Sequence, residues 1–117
     1  MAMNNFTPGY PVVTSTAENI TATPGGTQVN AFQLTARVNR VVTVATAGDA
    51  VRLPPFMADG PCFVSNDSLN ALAVYPYEGG TMIGTLPAGT NLVIPPGKVV
   101  SFIGTGTVGR WIALQGA

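Results

Sequence analysis

The stretch KVVSFIGTGTVGRWIALQ, from Lys98 to Gln115, contains two runs of β-branched and aromatic residues separated by a glycine-rich segment. Runs of this composition are typical of β-strands. The segment GTGTVG has the glycine spacing of dinucleotide-binding loops, but those glycines must open a helix. The residues that follow it, RWIALQ, have strand composition. The stretch therefore predicts a hairpin in which a glycine-rich loop joins two strands.

The same pattern of short strands and turn residues extends back to Gln28. Strand-like runs include QVNAFQLTARV, RVVTVATA, DAVRLPP, CFVS, ALAVY, TMIG and NLVIPPG. Together they suggest about nine short strands, roughly one every ten residues, which is typical of sandwiches and barrels. The 14 glycines and 10 prolines leave no long helical window. We expect residues 28–117 to form an all-β domain, a small antiparallel β-sandwich or barrel of the jelly-roll or β-tulip type.

Residues 1–27 differ from the rest of the chain. They are rich in Thr, Asn, Pro and Gly, and their apolar residues follow no regular period. This composition predicts an extended N-terminal arm. Apolar residues in such an arm indicate that it lies on another surface, and the expected contact residues are Phe6, Tyr10, Val12, Val13 and Ile20. We expect the arm to attach the protein to its partner; the rival role is an exchange of arms between subunits.

Charged residues make up 9% of the chain, with five basic and five acidic side chains, where about 25% is usual. Because interface cores are depleted of charge, this composition favours a homo-oligomer over a monomer with a threonine-rich surface. The zero net charge and the absence of a basic cluster argue against nucleic-acid binding. Neither a secretory signal nor an apolar membrane-spanning run is present, so we expect a cytosolic product that leaves only within a larger particle.

The chain offers few residues for catalysis. It has no histidine and a single cysteine, Cys62, which we expect to be buried and inert. The carboxylates occupy turn-like positions: Glu18, Asp49, Asp59, Asp67 and Glu78. We expect no enzymatic activity, no cofactor and no metal site. An enzyme would need two of the carboxylates to converge in a cleft.

The segments GDAVRLP, ADGPCFVSNDSLNALAVYPYEGGTMIG, IPPGKVVSFIGTG and RW, within about residues 46–112, resemble a family of structural proteins from tailed bacteriophages. The family comprises head decoration or cement proteins and related head-fibre domains. The shared features are the DAVRLP strand, an Asn-ended turn, the L-x-V-Y-P strand, a glycine-rich turn before I-G, the G-K-x-x-x-F strand and the terminal Trp strand.

The resemblance implies a homotrimer of small β domains that binds the outer surface of an icosahedral shell. Its partners would be the major capsid protein and its own copies, and its location the exterior of virions assembled in the host cytoplasm. We expect the trimer seam on the uncharged faces of KVVSFIG and RWIAL, with Val100, Phe102, Trp111 and Ile112 as candidates. The alternative is a trimeric receptor- or glycan-binding knob of a phage fibre, in which Tyr75 and Tyr77 contact the ligand; otherwise these tyrosines pack a turn.

Overall fold

A computed structural model of the chain describes residues 15–55, 61–78 and 81–115. Every regular element in these residues is a β-strand, which confirms the all-β prediction. The strands are β1 (Thr16–Thr21), β2 (Phe32–Gln33), β3 (Val38–Thr43), β4 (Ala50–Arg52), β5 (Pro61–Asn66), β6 (Leu72–Tyr75), β7 (Met82–Ile83), β8 (Leu92–Ile94), β9 (Val99–Gly104) and β10 (Arg110–Gln115).

The strands form two sheets. The six-stranded sheet has the order β1-β3-β5-β9-β10-β7, and the four-stranded sheet has the order β2-β4-β6-β8. Both sheets are mixed: β1, β3 and β5 run parallel, as do β2, β4 and β6 and the pair β10–β7, whereas β5–β9, β9–β10 and β6–β8 are antiparallel. The antiparallel architecture expected from the sequence is therefore wrong, and among the described strands neither sheet closes on itself.

The first six strands alternate between the two sheets. Among these six, two strands that lie parallel and adjacent in one sheet are connected through a strand of the other sheet. Parallel neighbours need a crossover connection, and here each crossover contains a strand. The last two strands do form the expected hairpin, with Trp111 opposite Gly104 and a loop through residues 105–109. Gly109 in that loop has φ +84°, a conformation that suits glycine.

One hydrophobic core receives side chains from both sheets. Along β5, Cys62, Val64 and Asn66 are buried while the residues between them are half-buried, as strand alternation requires. The largest fully buried side chains come from both layers: Val41, Val64, Val100, Phe102, Trp111, Val51, Leu53, Leu72, Val74 and Ile94. Burial of each contributes about 1.5–3 kcal/mol, so the inner faces of the sheets supply most of the stability.

The described part of the predicted arm belongs to the β domain. Residues 16–21 form β1, which pairs with β3, and Ile20 is only 5% exposed within the core. The pairing register shifts on both sides of Ile20, and Asn19 has φ +58°. This bulge breaks the alternation that sequence analysis relies on. Phe6, Tyr10, Val12 and Val13 lie outside the described residues.

The loop between β1 and β2 covers the outer side of the four-stranded sheet. Thr23 forms a bridge with Ala50, and a small second cluster unites Ala31, Ala50 and Ala73 with half-buried Tyr75. Gly26 approaches the sheet so closely that a Cβ there would lie 2.9 Å from the Cβ of Ala50. Among the described residues, in contrast, no loop covers the outer face of the six-stranded sheet in this way.

Candidate interaction surfaces

The described carboxylates make turn and surface contacts. Arg40 bridges two of them, with its Nη1 atom 3.5 Å from Glu18 and its Nε atom 2.5 Å from Asp67. A hydrogen bond from Ser65, together with Arg40, lowers the pKa of Asp67. Asp49 accepts hydrogen bonds from the backbone N–H groups of Gly25 and Thr46, each 3.1 Å long. Within the residues that the structure describes, no three His, Cys, Asp or Glu side chains gather as a metal site would require; Asp59 lies outside them.

Cys62 is fully buried on β5, as the sequence predicts. Its Sγ atom lies 3.5 Å from Nδ2 of Asn39 and 3.6 Å from the carbonyl oxygen of Ala36, to which it donates. Burial raises the pKa of the thiol from 9.0 to about 11. The sulfur is therefore inaccessible to a reagent in solution and remains protonated at neutral pH.

We expect thiol reagents to label native Cys62 at pH 8 at least about 100-fold more slowly than the urea-denatured chain, since a two-unit rise in pKa alone reduces the thiolate about 100-fold. Rapid stoichiometric labelling of the native protein would contradict the burial of Cys62.

The raised pKa of Cys62 also makes stability depend on pH. Because the folded pKa exceeds the ordinary value, the thiol's contribution to stability is present below pH 9 and is lost as the pH rises towards 11. Urea denaturation between pH 8 and pH 11 should show that Cys62→Ala removes this part of the pH dependence, about 2–3 kcal/mol.

The structure corrects most of the predicted trimer seam. Val100, Phe102 and Trp111 are 0% exposed and belong to the core, so they cannot contact another subunit. Ile112, on the opposite side of β10, is 42% exposed. The strands were recognised correctly, but apart from Ile112 the side chains available to a partner are those that alternate with the predicted ones.

Those alternating side chains form an apolar face on the outside of the six-stranded sheet. Pairing aligns them in two rows, one through Val38, Phe63, Ser101 and Leu114 and the other through Pro61, Ile103 and Ile112. Val99, Ile112 and Leu114 are 46%, 42% and 58% exposed, and the other apolar members are half-buried. We call this surface the apolar face: Val38, Pro61, Phe63, Val99, Ile103, Ile112 and Leu114.

A second feature, the end groove, opens between the edges of the two sheets. It has a volume of about 410 Å³ and is lined by Ala17, Glu18, Asn19, Ile20, Thr21, Phe32, Leu34, Thr35 and Asn39. Among the described strands β1 pairs only with β3 and β2 only with β4, so both strands are sheet edges. Phe32 is 43% exposed there. Asn39 is buried in the lining; its Nδ2 donates to the carbonyls of Ala36 and Phe63, while Oδ1 has no partner among the described residues.

The two candidate tyrosines make contacts within the chain. Tyr75 packs on the alanine cluster of the four-stranded sheet. The guanidinium carbon of Arg52 lies 5.3 Å from the ring centre of Tyr77. Arg52 also donates to Oε1 of Gln33 at 2.7 Å and to the carbonyl of Gln28 at 3.1 Å. Both tyrosines are half-buried by these contacts.

Sequence reasoning missed the braced loop that joins β5 to β6. Asn66 is fully buried, and its Nδ2 donates to the carbonyls of Asn70 at 2.8 Å and Ile94 at 2.9 Å. Its Oδ1 accepts from the N–H and hydroxyl of Ser68. This bonding holds Leu69 93% exposed at the loop tip. The NDS turn was the visible signal, but it does not reveal which asparagine turns inward.

Comparisons with known protein families, with curated proteins and with solved structures find no match for this chain. Within residues 15–55, 61–78 and 81–115, no helix is long and apolar enough to span a bilayer.

Proposed function

We propose that this chain is a non-enzymatic phage capsid decoration protein, which forms a homotrimer and binds the outer surface of a shell built from the major capsid protein. The observation that carries the proposal is the apolar face. Soluble monomers rarely expose a large contiguous apolar patch, and such patches usually mark interaction sites. The two sheets around one core favour a sandwich over a barrel as the unit that repeats in the trimer.

The charge distribution suits this face to a subunit contact. Arg40 lies beside Ser65 at the border of the face and is paired with Glu18 and Asp67, and Arg37 donates to the carbonyl oxygen of Pro61 at 3.3 Å. Both arginines therefore already have polar partners, which lowers the cost of burying the face, because an unpaired charge is the costliest group to remove from water. Apolar area contributes about 25 cal/mol per Å², and a stable interface needs about 800 Å² from each partner.

The fibre-knob alternative depends on Tyr75 and Tyr77. Both make contacts within the chain, and Tyr77 already stacks with Arg52. No feature of the described residues favours glycan binding over these contacts. The decoration role is the function that the apolar face supports best, and binding to the shell is part of what we propose.

Leu114→Lys tests the trimer. Leu114 is 58% exposed on the apolar face, so lysine is tolerated in the monomer but places a charge in the seam. We expect native mass spectrometry at micromolar concentration to show trimers for the wild type and monomers for the variant, with unchanged far-ultraviolet circular dichroism. Val108→Lys is the matched control, because Val108 is 85% exposed in the β9–β10 loop, away from the face. It should remain trimeric; a monomeric wild type contradicts the trimer.

Co-sedimentation with empty shells of major capsid protein tests the decoration role. We expect wild-type protein to sediment with the shells in a fixed ratio, and Leu114→Lys to bind at least about tenfold more weakly because it loses multivalent attachment. A trimer that ignores shells but binds a glycan array would support the fibre-knob alternative instead.

A further inference from the structure

We propose that the end groove binds residues 1–14 of a neighbouring copy, so that the subunits of the oligomer exchange their N-terminal segments. The inference rests on the proposed homo-oligomer and adds a second contact to it, distinct from the apolar face. It assigns to residues 1–14 the rival role of the N-terminal arm, exchange between subunits.

The chemistry of the groove matches that of the segment. The lining has an apolar part formed by Ala17, Ile20, Phe32 and Leu34. Its one charged member, Glu18, already pairs with Arg40. Residues 1–14, MAMNNFTPGYPVVT, contain no charged side chain and supply Phe6, Tyr10, Val12 and Val13 as apolar groups. An uncharged, partly aromatic segment fills such a groove without leaving a buried charge unpaired.

The segment also joins the domain beside the groove. The carbonyl of Ser15 accepts the N–H of Val38 at 3.1 Å, and its Oγ atom accepts the N–H of Arg37 at 3.1 Å. Ser15 is therefore fixed next to the start of β1, the strand that lines the groove. Fourteen extended residues span at most about 46–50 Å, which is enough to cross from one small domain to the next.

The position of the turn signals favours a neighbouring copy over the same chain. The nearest glycine-containing turn signal before Ser15 is Pro8-Gly9, and the residues after Pro11 are β-branched. A reversal at Pro8-Gly9 would lay residues 1–7 beside residues 10–16. The lining runs along residues 17–21 of β1, so a segment that enters the groove of its own subunit has to turn back beside Ser15, against the extended course that Val12, Val13 and Thr14 favour. A segment arriving from another subunit has no such limit.

The bulge in β1 indicates how the segment is held. The register shifts and the positive φ of Asn19 interrupt the edge of β1, and Glu18 projects a charge there. Such features hinder a continuous added strand. We therefore expect the segment to be held by an apolar side chain that inserts beside exposed Phe32, rather than by an added strand. Phe6 is the largest such side chain in the segment.

The test is cross-linking in the full chain with Thr7→Cys and Thr35→Cys combined. Thr35 is exposed in the groove lining, and the change at residue 7 leaves Phe6 in place. Native Cys62 is buried and should not react. With a short bis-maleimide we expect covalent dimers and trimers on a denaturing gel, in at least about fivefold excess over either single variant. Thr7→Cys with Thr107→Cys, in the β9–β10 loop, is the matched control and should give the single-variant background.

Each other outcome has a defined meaning. Internally linked monomers would place the segment in its own groove and overturn the exchange. A yield equal to the control would overturn the groove as its site. Thr35→Trp, which fills the groove, gives an independent readout: the trimer should dissociate at an at least about tenfold higher concentration. An unchanged dissociation concentration in Thr35→Trp would count against exchange. If Leu114→Lys loses the trimer and Thr35→Trp does not, the exchange fails while the proposed function stands.

Discussion

Replacing Trp111 by alanine is expected to lower the free energy of unfolding by about 3–5 kcal/mol. Trp111 is the largest fully buried side chain and lies in the core shared by both sheets. Alanine removes its apolar contacts and leaves a cavity that the surrounding strands fill only in part. Small domains are stable by only about 5–15 kcal/mol, so the variant should unfold at much lower urea. The measurement is urea denaturation followed by far-ultraviolet circular dichroism, since the chain has one tryptophan.

Ile112→Ala is the matched control for this prediction. Ile112 is the next residue of the same strand and is 42% exposed on the apolar face. Its truncation leaves no core cavity, so we expect the free energy of unfolding to fall by less than about 1 kcal/mol. Because Ile112 lies on the proposed subunit contact, part of this loss should depend on the protein concentration. If Ile112→Ala proves more harmful than Trp111→Ala in dilute protein, the assignment of the two faces of β10 is wrong.

The two faces of β9 and β10 show where sequence reasoning succeeds and where it fails. The hairpin was predictable because strand composition and a glycine-rich loop are local signals. Which face is buried was not, because both faces are apolar: Val100 and Phe102 alternate with Val99 and Ile103. A one-residue shift in the assignment moves every side chain to the opposite face. Three of the four candidate seam residues, Val100, Phe102 and Trp111, consequently fell in the core, and only Ile112 lies on the exposed face.

The directions of the strands were equally hidden. Strand-like runs at short spacing suggest hairpins, and the β9–β10 pair is one. The earlier strands cross to the other sheet instead, so β1, β3 and β5 become parallel neighbours although each is separated by a strand elsewhere. Whether a short connection reverses within one sheet or crosses between two depends on contacts made far along the chain, which local composition does not record.

The end groove was unpredictable for two reasons. The bulge at Asn19 removes the alternation that would have identified β1 as a strand. The groove also combines residues from β1, β2 and β3, so it exists only after the sheets assemble. What the sequence did show is the composition of the proposed occupant: a segment, residues 1–14, without charged side chains and with scattered apolar residues.

Asn66→Asp is expected to cost roughly 3–5 kcal/mol at pH 7. The change preserves shape but removes the two donated hydrogen bonds to Asn70 and Ile94, and it faces a buried carboxylate towards those carbonyl oxygens. Asn30→Asp is the matched control. Asn30 is exposed and its Oδ1 only accepts, from the N–H and hydroxyl of Thr27. An aspartate accepts equally well there, so we expect a change within about 0.5 kcal/mol.

The pH dependence of Asn66→Asp separates the buried charge from the lost hydrogen bonds. Burial raises the pKa of a carboxyl group above its unfolded value of about 4. The protonated form is therefore favoured in the folded state, and the variant is most stable below pH 4 and loses stability as the pH rises towards 7. A protonated carboxyl also regains one donor for the carbonyl of Asn70 or Ile94. Urea denaturation at pH 4 and pH 7 should show the gap to wild type narrowing by at least about 1.4 kcal/mol at the lower pH, one pKa unit of differential interaction. A gap that stays constant between these pH values would mean that residue 66 is solvated, and that the loop presenting Leu69 is not braced from the core.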